Sequence, residues 1–60
     1  MTEFTVNEGG KNYSCEYIVK SGMVTVHVLG FSKTTQVGGS PPETIARMLA
    51  REIIREEKLK

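Results

Sequence analysis

The chain has no tryptophan and no aspartate, one cysteine and one histidine, and only two prolines in its 60 residues. Each shortage closes off a class of function. A single cysteine, Cys15, cannot form an intramolecular disulfide, and with one histidine, His27, it cannot complete a four-ligand zinc site. Acid–base catalysis has little to draw on, because every acidic side chain is a glutamate and the one imidazole stands alone. No apolar run approaches the ~20 residues that span a bilayer. The start, Met1-Thr2-Glu3-Phe4, has neither the basic segment nor the apolar run of a signal peptide. There is no Walker loop, dinucleotide fingerprint or nucleophile elbow. The expectation is a soluble cytoplasmic protein, not an enzyme, with no cofactor and no metal.

Size and charge narrow it further. A formal charge of +1 carries no general attraction to nucleic acid or membrane. A domain of this length buries only ~60% of its unfolded surface, so a second copy that enlarges the core is an attractive way to gain stability.

What the sequence does contain is period-two alternation over its first 37 residues and a charged helical pattern after them. Residues 2–7, 12–20, 23–29 and 32–37 read as strands rich in β-branched and aromatic residues, with glycine at each junction. Two-residue loops at Gly9-Gly10, Ser21-Gly22 and Gly30-Phe31 would set Phe4 against Cys15, Val6 against Tyr13, Tyr17 against Val26 and Val19 against Val24. The third hairpin would pair Val24 with Val37 and Val26 with Thr35, leaving Lys33 at the rim of the apolar face. A one-residue slip would scatter the apolar residues over both faces. The expected fold is therefore α+β: a four-stranded antiparallel β-meander with one C-terminal helix, 41–58, packed on one face.

The junction Gly38-Gly39-Ser40-Pro41-Pro42-Glu43 has the form of a capping box, with Ser40 as N-cap, Pro41 as first helical residue and Glu43 as the reciprocal member. It is a poor phosphate cradle, since two prolines remove N–H groups that an anion would need.

Along the helix, Met48, Ile45, Leu49, Ile53, Ala46, Ala50 and Ile54 sweep an arc of about 240°, wider than the ~100° of a one-sided helix. Met48, Ala50, Ile53 and Ile54 are accordingly candidates for an interface, and Ile54→Glu is expected to weaken association without unfolding the monomer. Arg47, Arg51 and Arg55 recur at i, i+4 and i+8, with Lys58 beyond; such a stripe suits phosphates, although a solvated helix face is the plainer explanation. Glu52 and Glu56 share a helix face and read as solvated. The outer sheet face carries Thr5, Asn7, Asn12, Ser14, Glu16, Thr25, His27, Thr34 and Gln36, interrupted by Ile18, Met23 and Leu29. Cys15 and His27 fall on adjacent strands but opposite faces, so they make no dyad, and His27 stands across from Glu16.

Three functions follow as expectations. The leading one is a non-enzymatic interaction domain that self-associates as a homodimer, through the helix flank or the edge of the last strand, or binds another protein. The second is a nucleic-acid accessory protein using the arginine stripe. The third is a subunit or ligand-binding module completed by a partner chain.

Overall fold

In the computed structural model, which describes residues 1–57, the alternating segments form strands β1 (Thr2–Glu8), β2 (Lys11–Lys20), β3 (Met23–Val28) and β4 (Phe31–Gln36). One sheet holds them in the order β1-β2-β3-β4, every neighbouring pair antiparallel. Helix α1 (Pro42–Glu56) follows and lies on one face, giving a two-layer α+β domain. Position 58, the expected end of the helix, lies outside the described residues.

All three hairpins close with two residues of positive φ: Gly9 and Gly10, Ser21 and Gly22, Leu29 and Gly30. Positive φ at both central positions is the primed type I turn, whose twist matches that of the flanking strands. The first two loops stand as expected, and with them Phe4 opposite Cys15, Val6 opposite Tyr13, Tyr17 opposite Val26 and Val19 opposite Val24.

The third hairpin differs. It turns at Leu29-Gly30 rather than Gly30-Phe31, so Val24 faces Thr35 and Val26 faces Lys33. The turn chooses glycine at its second position, as Ser21-Gly22 does, and forces Leu29 to φ 47. Because the pairing moves by two residues, each side chain of β4 keeps its face. Lys33 moves in from the rim to stand opposite Val26, mid-strand.

The core is built from Val6, Tyr13, Cys15, Val24, Val26 and Val28 of the sheet against Ala46, Leu49, Ala50, Ile53 and Ile54 of the helix. Phe4, Tyr17, Val37 and Ile45 seal its margins, with the Phe4 and Tyr17 rings edge to face at 5.6 Å. At 100° per residue the buried helix positions span about 140°, a normal one-sided face rather than the wide arc expected. The alanines explain the narrowing: Ala46 and Ala50 are 0% exposed. Small side chains there let the helix approach the sheet closely enough to bury Ile53 and Ile54 on either side of them. Val19 has the parity of the core face yet remains 44% exposed.

The helix start also departs from the capping box. Pro41 is the N-cap, with φ −60 and ψ 136, no side chain caps the helix, and Pro42 takes the first helical position. Proline at that position forces the preceding residue into extended backbone, which is what an N-cap requires. The helix therefore begins one residue later than a Ser40 cap demands. Glu43 becomes the second helical residue and turns its carboxylate to Arg47, 3.5 Å away.

Candidate interaction surface

Three surfaces bear on function: the outer helix face, the outer sheet face and the sheet's two open edges. The helix loses most of its expected interface. Ala50, Ile53 and Ile54 are 0%, 3% and 4% exposed, buried by the chain's own sheet, and Met48 alone of the four proposed residues faces solvent. The flank expected to be left over is used in folding.

The arginine stripe is only partly available. Arg47 donates to the Thr5 carbonyl at 3.2 Å, pairs with Glu43 and holds its guanidinium 5.7 Å from the Phe4 ring centre. Arg55 donates to Glu8 at 3.0 Å. Two of the three guanidiniums thus tie the helix to β1 or to itself, and Arg51 is exposed. Lys58 lies outside the described residues. Sequence spacing placed the stripe; the carboxylate and ring that engage it come from a strand some forty residues away, which helical periodicity does not register.

Across the helix, Lys33 donates to Glu52 at 3.1 Å and to Glu56 at 2.7 Å. Hydrogen bonding to Glu56, and then to Glu52, raises the ammonium above its ordinary pKa of 10.5. Glu52 and Glu56 are therefore a clamp on β4 rather than a free carboxylate pair. Two-residue displacement of the last hairpin makes this contact, and the sequence reading missed it for that reason.

On the outer sheet face the polar residues satisfy one another. The Thr25 and Thr34 hydroxyls lie 2.8 Å apart, and the Asn7 amide donates to Asn12 at 3.0 Å. His27 stands opposite Glu16, on the face away from Cys15. Burial pushes the Cys15 thiol pKa up, and its Sγ lies 3.5 Å from the Tyr13 carbonyl, so it is a packed core residue rather than a nucleophile. An open depression of about 300 Å³ over β1 and β2 is lined by Glu3, Phe4, Thr5, Ser14, Cys15 and Glu16. That is the lower limit of small-molecule pockets, and Glu3 and Glu16, paired on the adjacent strands β1 and β2, both line it. Among the described residues no group of three His, Cys, Asp or Glu side chains is placed to hold a metal, and no helix is long and apolar enough to cross a membrane.

The two sheet edges differ. Along β1, Arg47 reaches over from the helix to occupy a main-chain carbonyl. Along β4 the side chain that would guard the edge, Lys33, is drawn inward to the helix carboxylates. Phe31, the first residue of that strand, is 40% exposed. Compared with protein-family models, curated proteins and solved structures, the chain matches none.

Proposed function

We propose that this chain is a small non-enzymatic interaction domain that works as a homodimer, through its sheet rather than its helix. The observation that carries the reading is the β4 edge: an open strand whose only charged side chain is paired within its own subunit, with a half-exposed aromatic at one end. Natural sheets protect such edges with lysines, inward-pointing charges, prolines or bulges, because unpaired main-chain groups recruit other strands. On β4 the one such device is Lys33, whose ammonium is held by Glu52 and Glu56; the strand has no proline and pairs with β3 in unbroken register. A sixty-residue core also gains most from a partner that extends it.

The alternative of a nucleic-acid accessory protein has less support, since Arg47 and Arg55 already engage Glu43 and Glu8. A ligand-binding module completed by another chain would use the Glu3–Glu16 depression and would favour a cationic group there.

Sedimentation equilibrium over a wide concentration range tests the reading. A reversible dimer is the expected result, and a monomer at the highest concentrations refutes it.

A further inference from the structure

We infer that two copies of this chain pair antiparallel along β4, with Thr34 on the two-fold axis, to form one continuous eight-stranded sheet that carries both helices on the same face. The inference rests on the homodimer reading and specifies its register.

The argument starts from which main-chain groups are free. A two-residue primed turn closes on a hydrogen-bonded pair, here Val28 and Phe31, and hydrogen-bonded pairs then alternate with non-hydrogen-bonded ones. Phe31, Lys33 and Thr35 accordingly spend their N–H and C=O groups on β3, while Ser32, Thr34 and Gln36 point theirs outward. Two observed bonds confirm the phase. The Val37 N–H donates to the Gly22 carbonyl at 2.9 Å, as the next hydrogen-bonded pair after Thr35 should. The Thr25 and Thr34 side chains approach to 2.8 Å, as the closer non-hydrogen-bonded pairs do. The same alternation along β1 turns the Thr5 carbonyl outward, where Arg47 binds it. That occupied carbonyl lies at the midpoint of β1, so the β1–β1 pairing of longest overlap meets Arg47, an obstruction β4 does not have.

Faces then fix the register. Both helices share a face only if residues of the same parity stand opposite one another, which excludes pairing Lys33 with Thr34. Centring on Lys33 would set two ammonium-bearing residues face to face, and it would oppose groups already bonded to β3. Centring on Thr34 places Thr34 against Thr34 of the second copy, Ser32 against Gln36, Lys33 against Thr35 and Phe31 against Val37. Outward-pointing groups meet outward-pointing groups at Thr34 and at Ser32–Gln36, making about six main-chain hydrogen bonds, two for each such pair. No like charges oppose. The half-exposed Phe31 lands on Val37, which already seals the core margin. On the outer face the Thr25–Thr34 contact continues into the second copy as a ladder of four threonine hydroxyls.

Amide hydrogen exchange on the full chain, at concentrations above and below the association midpoint, tests the pairing. In the dimer the Ser32, Thr34 and Gln36 amides are expected to exchange roughly 100-fold slower than in the monomer, while those of Glu3, Thr5 and Asn7 stay fast. Thr34→Pro removes the central donor at a position whose main-chain groups bond nothing inside the subunit, and Thr34→Ala controls for the lost hydroxyl contact with Thr25. It should leave the far-ultraviolet circular dichroism unchanged and raise the dimer dissociation constant by roughly 100-fold. Thr34→Ala should still dimerise. A dimer whose Ser32, Thr34 and Gln36 amides exchange rapidly, or a Thr34→Pro dimer as tight as the native one, overturns this register and leaves self-association standing. A chain that sediments as a monomer throughout overturns both. Should Thr34→Pro fail to fold, the exchange pattern of the native chain decides.

Discussion

Leu29 is the residue whose replacement most directly tests how the third hairpin is built. It holds φ 47 at the first position of a primed type I turn, and 61% of its surface is exposed. Left-handed backbone costs an L-residue with a branched side chain about 1–2 kcal/mol, and asparagine much less because its amide bonds locally. Against this stands the partial burial of Leu29; full burial of a leucine is worth about 1.5–3 kcal/mol, so the covered fraction here contributes about 1 kcal/mol or less. Leu29→Asn, which creates the preferred Asn-Gly pair, should therefore stabilise the fold by about 0.5–1 kcal/mol net. For a domain of this size that is a rise in Tm of roughly 4–8 °C, read by thermal unfolding at a concentration where association is negligible. Leu29→Ala is the control: it keeps the strained Cβ and loses the side-chain contacts, so it should fall to or below the native Tm. If Leu29→Asn instead melts with Leu29→Ala, the leucine contacts outweigh the turn strain and the account of this hairpin is wrong.

Other perturbations follow from the same geometry. Ile54→Glu should unfold the subunit rather than merely separate a dimer, because Ile54 is 4% exposed in the core and a carboxylate there has no partner; loss of the cooperative thermal transition is the readout. Lys33→Met should flatten the high-pH limb of stability. The Lys33 pKa is raised in the folded state, so its contribution is complete below the unfolded value, near 10.5, and is lost as pH rises through the folded value. Urea unfolding between about pH 9 and 11.5 should show a steeper decline in the native chain than in the variant, the loss from the buried Cys15 thiol being common to both, and added salt should shrink the difference. Ser40→Ala should change stability by less than about 0.5 kcal/mol, since Ser40 makes no cap; a loss near 1 kcal/mol, typical of a removed N-cap, would restore the capping box.

How much of this molecule the sequence discloses depends on the range of each determinant. Period-two alternation and glycine spacing define the four strands, and they place Val6, Tyr13, Cys15, Val24, Val26 and Val28 on one face, because parity survives any even change of register. The charged segment after Pro42 is helical by its own periodicity, and the split between Cys15 and His27 follows from parity alone. What the sequence leaves open is set by contacts between distant segments. Whether the last hairpin turns at Gly30-Phe31 or at Leu29-Gly30 changes no side chain's face, so the alternation cannot choose. The docked helix distinguishes them, since only the observed register sets Lys33 beneath Glu52 and Glu56. The helix flank is equally undecidable from spacing. A periodicity gives the width of an apolar arc but not how near the sheet can approach, and the two fully buried alanines allow the approach that hides Ile53 and Ile54. Local chemistry thus determined the elements and their faces, while close packing between helix and sheet decided which residues remain for a partner.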